Sequence, residues 1–129
     1  MEFGKLLEEL KELGLADGEY AVFGSGPLAV RRIREAKDLD IIVTNNLYKK
    51  LEEKYPKEGC GLKIGDIEII SPDSSVVVNS KKIIKRAELI NGFRFTLLED
   101  IINWKEKMSR PKDIKDIELI NNYLKSKKL

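Results

Sequence analysis

The hydrophobic and polar positions follow two different periods along the chain, which predicts a domain that mixes helices with strands. Leucines recur at helical spacing between charged residues from Leu6 to Leu13, and this pattern predicts an amphipathic helix that ends at Gly14. The apolar run 20–23 stops at a glycine-rich turn, so it favours a strand followed by a second helix. Residues 37–43 predict another buried strand.

The second half of the chain continues this alternation of elements. Residues 47–55 predict a helix that Pro56 stops, and residues 63–70 predict a third strand with Glu68 and Asp66 on the face opposite its isoleucines. Asn91-Gly92 carries the strongest hairpin signal in the chain. Helices are predicted over 80–86 and 97–108 and from Pro111 onward, while 76–78 stay ambiguous.

Length and composition favour one folded domain. The chain has 129 residues, of which 42% are hydrophobic and 36% charged, so it can bury a core beneath a charged surface. We find no repeat or low-complexity linker and expect one α+β domain over residues 1–129, with a short mixed β-sheet flanked by helices. The formal charge of +2 names no partner.

The rare residues exclude several kinds of chemistry. The sequence contains no histidine, so histidine-activated nucleophiles and imidazole zinc sites are excluded. The single Cys60 has no partner for a disulfide within the chain, which suits a reducing compartment. Because no apolar run approaches the roughly 18 residues of a membrane span, and the first residues lack the core of a signal peptide, we expect a cytoplasmic protein without membrane contact.

Three carboxylates carry the most specific chemical signal. Asp38 and Asp40 are two residues apart on a predicted strand, so their side chains point to the same face with α-carbons about 7 Å apart. Glu68 supplies a third carboxylate from a later strand. Close carboxylates repel one another unless a cation offsets the charge, and hard oxygen ligands select Mg²⁺ or Mn²⁺. Such a trio predicts phosphoryl or nucleotidyl transfer.

The turn Gly24-Ser25-Gly26 predicts a phosphate site beside these acids. The glycines allow the backbone to approach a ligand closely, and the amides of the turn attract anions. The hydroxyl of Ser25 adds a further donor for a phosphate oxygen. A triphosphate therefore has a predicted place to bind.

The spacing of these motifs resembles the DNA polymerase β-like nucleotidyltransferase superfamily, in its minimal single-domain forms and AbiEii-like relatives. The family pattern of an apolar residue, Gly, then Gly or Ser, followed after a helix by two acids in alternation, is matched by Phe23-Gly24-Ser25 and Asp38-Leu39-Asp40-Ile41. The third acid is matched by Glu68, with Asp66 as the near alternative, although the family more commonly has Asp there.

The carboxy-terminal third of the chain is also similar to AbiEii-like relatives. They carry a Lys and then a basic residue with Asp-x-x-Asp, which resembles the sequence from Lys105 to Asp116. The resemblance implies that Lys105 contacts the triphosphate and that Arg34, placed before the acidic pair, contacts phosphate too. It also implies a nucleotidyltransferase-type fold and an NTP substrate. The acceptor is left open between protein, RNA and a small molecule, and a homodimer or a cognate toxin–antitoxin partner is left open as well.

Other interpretations of the same residues stay open at this point. Residues 24–29 also match a dinucleotide-binding fingerprint, or a strand, turn and helix that bind nothing. The acids, Arg34 and Lys105 could be ordinary solvated charges. The chain could also be a catalytically silent nucleotide-binding or protein-interaction module. Lysines in 81–86 and 125–128 fit a nucleic-acid surface as well as a solubilising one.

Overall fold

The computed structural model describes residues 3–59, 61–74, 77 and 79–127. Within these residues the chain is a single-domain α+β fold with a mixed sheet of seven strands and six helices. The helices are α1 (Phe3–Glu12), α2 (Gly26–Val30), α3 (Asn45–Glu52), α4 (Ser80–Arg86), α5 (Leu98–Met108) and α6 (Pro111–Lys127). The strands are β1 (Tyr20–Phe23), β2 (Leu39–Val43), β3 (Lys57–Glu58), β4 (Gly61–Ile64), β5 (Ile67–Ile70), β6 (Glu88–Ile90) and β7 (Phe93–Phe95).

The sheet is mixed around two central strands. Its strand order is β3-β4-β5-β2-β1-β7-β6. β1 runs antiparallel to β2, while β2 pairs in parallel with β5 and β1 in parallel with β7. Because β1 and β2 are antiparallel, the carboxyl end of β1 and the amino end of β2 lie at the same end of the sheet. The predicted motifs therefore meet in the middle of the sheet, at one end of its strands.

Two apolar clusters cover the two faces of this sheet. Alternate residues of β2, such as Ile41, pack with α1 and α3 in the first cluster. Ile42 packs on the other face with side chains of α2, α4, α5 and α6. Asp40 has the same parity as Ile42, so it shares the face covered by α2, α5 and α6. The helices of that face supply the remaining walls of the site.

Most of the predicted elements are confirmed, and one is wrong. The hairpin at Asn91-Gly92 forms β6 and β7, and both turn residues have positive φ. Residues 63–70 are not one strand: a turn at Gly65 and Asp66 divides them into β4 and β5, which pair antiparallel. β3 was not predicted, because two exposed residues carry no hydrophobic pattern. Of the ambiguous 76–78, only Val77 lies within the described residues, where it is buried.

The helices are short and carry charges. The longest, α6, has 17 residues, with two Asp near its start and Lys near both ends. None of the helices in the described ranges combines the length and the apolar character that crossing a membrane requires.

Candidate active site

Strand pairing brings the predicted carboxylates together. Asp40 on β2 lies directly opposite Glu68 on the parallel strand β5. Paired residues on neighbouring strands are about 4.8 Å apart and point to the same face, so the two side chains adjoin. Asp38 lies just before β2, where it is exposed. On the other side of Asp40, the register of β1 places Phe23 opposite it, and the glycine turn follows at once.

Gly24 forms a close contact with the carboxylate of Asp40. Its φ is +63°, and a Cβ atom at this position would lie 2.5 Å from Oδ2 of Asp40. Only glycine adopts such a backbone easily and leaves space for that oxygen. The next residue, Ser25, lies at the start of α2, where its carbonyl accepts hydrogen bonds from the backbone N–H groups of Leu28 and Ala29. The turn therefore presents its backbone and the Ser25 side chain directly beside Asp40.

The charge of Asp40 is disfavoured by its surroundings. Burial, the neighbouring charges of Asp38 and Glu68 and a hydrogen bond with Glu68 raise the pKa of Asp40 from 3.8 to about 6, with Lys63 acting in the opposite direction. A cation among the three carboxylates would offset their mutual repulsion, while the larger effect of burial would remain. The three carboxylates thus form an acidic corner of the site.

Lys63 is a member of this site that sequence reasoning missed. It stands opposite Glu68 in the β4–β5 pairing, and its Nζ lies 3.3 Å from Oε1 of Glu68. The hydrogen bond to Glu68 is the main cause that raises the pKa of Lys63. Dividing 63–70 into two strands would have revealed the pair, because a two-residue turn sets Lys63 across from Glu68.

The carboxylates are not arranged as a closed metal centre. Within the described ranges, no group of three or more Asp, Glu or Cys side chains is placed to hold a metal ion. Glu68 is paired with Lys63 instead, but its side chain is about half exposed. A half-exposed carboxylate can exchange one cationic partner for another at little cost. The three acids are neighbours whose side chains would have to draw together around an ion.

All seven predicted site residues line one open cleft, which we call the Asp40 cleft. Its volume is about 800 Å³. The predicted residues along its walls are Gly24, Ser25, Arg34, Asp38, Asp40, Glu68 and Lys105. Residues that were not predicted as part of the site, including Glu58, Trp104 and Met108, complete the lining. The volume falls within the range of about 300–1,000 Å³ that is typical of ligand pockets.

The cations on the opposite wall of the cleft are held by buried carboxylates. Lys105 is 4% exposed, and its Nζ lies 2.9 Å from Oδ2 of Asp116 and 3.4 Å from Oδ1 of Asp113. Arg34 makes two parallel hydrogen bonds to Asp116, of 2.7 and 2.8 Å. Arg110 binds Asp113 in the same forked manner. We call these five residues the α5–α6 ion network.

The network keeps its carboxylates ionised although they are buried. Burial alone would raise the pKa of Asp116, but hydrogen bonds from Arg34 and Lys105 lower it below 3.8. Burial likewise acts to raise the pKa of Asp113, but hydrogen bonds from Arg110 and the charge of Lys105 outweigh it and lower the pKa below 3.8. The hydrogen bond to Asp116 raises the pKa of Arg34. The sequence pattern of a Lys followed by Asp-x-x-Asp marked the segment that holds Lys105, Asp113 and Asp116, which lie on the two consecutive helices α5 and α6.

Trp104 joins the network to the core of the sheet. Its ring meets the ring of Phe23 edge-on at 4.7 Å between centroids. Lys105 and Arg110 lie 5.1 and 5.9 Å from the centre of the same ring. The tryptophan thus packs Lys105 of α5 and Arg110, which directly precedes α6, against the strand that ends at the glycine turn.

The geometry excludes the dinucleotide-binding alternative. A dinucleotide fold needs parallel strands on either side of the glycine turn, joined through a full crossover helix. Here β1 and β2 are antiparallel neighbours, and α2 has only five residues. Comparisons with protein-family models, with curated proteins and with solved structures find no significant match to this chain. The interpretation of the Asp40 cleft therefore depends on its residues.

Proposed function

We propose that this protein transfers a nucleoside monophosphate from an NTP to an acceptor hydroxyl, in a reaction that depends on Mg²⁺ or Mn²⁺. The observation that carries the proposal is the pairing of Asp40 with Glu68, beside Asp38, against a glycine turn in a cleft of about 800 Å³. The likeness of the motifs to the polymerase β-like nucleotidyltransferases supports the same reaction.

The donor set fits a hard divalent cation. Asp38, Asp40 and Glu68 offer only carboxylate oxygens, which suit Mg²⁺ or Mn²⁺ better than softer metals. Gly24 leaves one oxygen of Asp40 against the backbone of the turn, with no side chain between them. When bound, the cation neutralises triphosphate charge and acidifies a nearby hydroxyl.

Other groups of the cleft bind the phosphates and accept the proton of the acceptor. The amides of Gly24 and Ser25 and the Ser25 hydroxyl bind phosphate oxygens. Glu68 accepts the proton of the acceptor hydroxyl, whose oxygen forms a bond to the α-phosphorus. The bond from the α-phosphorus to the bridging oxygen breaks, and pyrophosphate leaves with that oxygen. Positioning supplies most of the acceleration, because phosphoryl groups need little covalent assistance.

Lys105 and Arg34 stabilise the triphosphate from the opposite wall. Both already bind Asp116, so a triphosphate shares their positive charge with that carboxylate. Arg34 is about one third exposed at its side chain and can turn toward a ligand, whereas Lys105 is buried and acts in place. We expect Arg34→Ala to raise the KM for NTP more than it lowers kcat.

The test is label transfer from each of the four NTPs in the presence of Mg²⁺ or Mn²⁺. We expect incorporation into the protein itself or into a protein or RNA of a cell lysate, and we expect Asp40→Asn and Glu68→Gln to abolish it. Asp66→Asn is the matched control, because Asp66 is the near neighbour of Glu68 in sequence but does not line the Asp40 cleft. Wild-type transfer by Asp40→Asn would refute the mechanism.

A nucleotide-binding module without catalysis is the second candidate. The pairing of Glu68 with Lys63 favours it, because the proposed base is then already neutralised. This candidate predicts metal-dependent NTP binding with no transfer in any lysate. Lys63→Met separates the two: it should raise the transfer rate of an enzyme in which Lys63 competes with the cation, and leave a silent module silent.

A further inference from the structure

A second pocket lies between α4 and α5, on the far side of Trp104 from the acids. Its volume is about 250 Å³, and it is lined in part by Lys82, Arg86, Asp100, Asn103, Trp104 and Lys107. We call it the α4–α5 pocket. Trp104 and Met108 line both this pocket and the Asp40 cleft, so the two cavities are neighbours with a shared wall.

Asp100 gives the α4–α5 pocket an unsatisfied acceptor. The residue is 9% exposed, and its Oδ2 is buried with no hydrogen-bond partner anywhere in the described part of the chain. Its other oxygen lies 3.7 Å from Arg86, a long ion pair. Leaving a buried carboxylate oxygen unpaired costs free energy. A ligand hydroxyl or amino group would remove that cost by donating a hydrogen bond.

The rim of the α4–α5 pocket is positively charged. Lys82 and Lys107 are both exposed and lie on the two helices that border it. Arg86 is shared with Glu99 and Asp100, so its charge is already offset. Lys82 and Lys107 therefore supply the positive charge that favours the binding of an anionic group. Asn103 adds an amide that can both donate and accept.

We propose that the α4–α5 pocket binds a phosphate-bearing ligand that also carries hydroxyl or amino donors, such as one nucleotide unit. The phosphate pairs with Lys82 and Lys107, and a donor of the sugar or base binds Oδ2 of Asp100. Its volume of about 250 Å³ is below the range of about 300–1,000 Å³ that is typical of ligand pockets, so it has room for no more than one such unit. Because the pocket adjoins the Asp40 cleft across Trp104, it would hold a part of the acceptor that lies beside its reacting hydroxyl, an assignment that rests on the function proposed above.

The test uses the intrinsic fluorescence of the protein. Trp104 is the single tryptophan of the chain and lines both the α4–α5 pocket and the Asp40 cleft, so its emission reports binding in either cavity, and the lysine variants assign the signal to one of them. Adenosine 5′-monophosphate is titrated in EDTA, without NTP, so that transfer plays no part. We expect saturable binding that Lys82→Ala with Lys107→Ala weakens about tenfold, equivalent to ~1.4 kcal/mol.

The matched control is Lys81→Ala with Lys85→Ala. This pair removes the same two charges, but its lysines line a different cavity, next to Arg94. We expect it to change the affinity for the mononucleotide less than about twofold, because only net charge is altered. Equal weakening by the two double variants, or no binding to the wild type, would overturn the proposal. Thermal melts of each variant establish that it is folded.

Asp100→Asn tests whether Oδ2 of Asp100 accepts a hydrogen bond from the sugar or base of the ligand. The substitution removes a negative charge beside the lysines, so inorganic phosphate should bind as tightly as before or more tightly. The mononucleotide should bind more weakly, because Asn accepts its hydroxyl or amino donor less strongly than a carboxylate does. These opposite changes are not expected of a residue that only supports the fold. A parallel loss for both ligands would refute the role of Asp100.

A short single-stranded RNA tests whether the nucleotide unit in the α4–α5 pocket belongs to an RNA or to a free metabolite. If the ligand is the end of an RNA, the oligonucleotide should bind more tightly than the mononucleotide, with a steep salt dependence, and Lys81→Ala with Lys85→Ala should weaken the oligonucleotide alone. If the ligand is a free metabolite, the RNA should bind no more tightly. Mononucleotide binding without any nucleotidyl transfer would support the α4–α5 pocket as a binding site and refute the proposed function. Transfer without mononucleotide binding would support the proposed function and refute the binding site.

Discussion

Asp40 holds its carboxylate where burial and two acidic neighbours disfavour the charged form. Its pKa is raised from 3.8 to about 6, so between those values the folded chain keeps a proton that the unfolded chain has released. The free energy of unfolding therefore falls as the pH rises through this interval. At neutral pH the charge is a cost to the fold of up to about 3 kcal/mol, at ~1.4 kcal/mol for each pKa unit.

Asp40→Asn should therefore stabilise the fold while it abolishes transfer. At neutral pH without divalent cations, we expect the variant to be about 1–2 kcal/mol more stable than the wild type, because the disfavoured charge is gone. Below about pH 4 the difference should disappear, since the wild-type carboxyl is then protonated. Thermal melts at neutral and acid pH measure this, with Glu118→Gln, on the exposed side of α6, as the control. A variant less stable than the wild type at neutral pH contradicts the argument.

Gly24 and Gly14 form a matched pair of glycines. Their φ values are +63° and +61°, but a Cβ at Gly24 would meet Asp40 whereas a Cβ at Gly14 would meet nothing within 4 Å. Both Gly→Ala variants should lose about 1–2 kcal/mol of stability through the left-handed backbone. Only Gly24→Ala should also lose transfer and cation binding, since it displaces the carboxylate. Denaturant melts and the label-transfer assay measure the two effects; full activity of folded Gly24→Ala would argue against the close contact.

At the scale of elements, α5 and α6 are joined by the α5–α6 ion network. Asp113 is fully buried and Asp116 is 4% exposed, so their charges require partners. We expect Lys105→Met to destabilise the protein by about 2–3 kcal/mol, below the ~3–5 kcal/mol of a single broken buried pair, because Arg34 and Arg110 remain. Lys115→Met, on the exposed surface of α6, should change stability by less than about 0.5 kcal/mol. Urea melts of the two variants provide the comparison.

The elements that the sequence could predict are those with strong local patterns. The apolar β1 and β2 and the Asn91-Gly92 hairpin follow from residue type and turn chemistry, and the structure contains them. The β4–β5 hairpin was missed although the apolar positions change parity across Gly65-Asp66, from Leu62 and Ile64 to Ile67 and Ile69. β3 was missed because it consists of two exposed charged residues. Sheet order depends on tertiary pairing, which no local pattern contains.

Only the part of the site that depends on the alternation of side chains along a strand could be predicted from the sequence. Parity placed Asp38 and Asp40 on one face of their predicted strand, and it is the pairing of β2 with β5 that sets Glu68 opposite Asp40. Lys63 was not foreseen, because its position depends on the hairpin that was missed. The family resemblance drew attention to the segment from Lys105 to Asp116, but it did not predict the ion pairs of Asp116 with Lys105 and with Arg34, which is far away in the sequence. Long-range ion pairs of this kind leave no periodic signal.

At the scale of the whole molecule, the acidic site is built into the strands that hold both cores together. β2 contributes Ile41 to one apolar cluster and Ile42 to the other, and Asp40 directly precedes them in the sequence. A ligand that stabilises the acidic residues therefore stabilises the strand on which both faces pack. Binding to the folded state alone raises the free energy of unfolding by about 2.7 kcal/mol at a hundredfold excess over Kd.

Mg²⁺ or Mn²⁺ should consequently raise the melting temperature of the wild type at neutral pH. For a domain of this size, 2.7 kcal/mol corresponds to a shift of about 10 °C. Asp40→Asn and Glu68→Gln should lose most of the shift, whereas Asp66→Asn should keep it, because Asp66 does not line the Asp40 cleft. A melt in KCl at the same ionic strength is the control for screening. Screening reduces repulsion among the carboxylates, but it does not require an ion bound at the site. An equal rise in KCl, or an unchanged shift when Asp38, Asp40 and Glu68 are all neutralised, would mean that the three acids do not hold the cation.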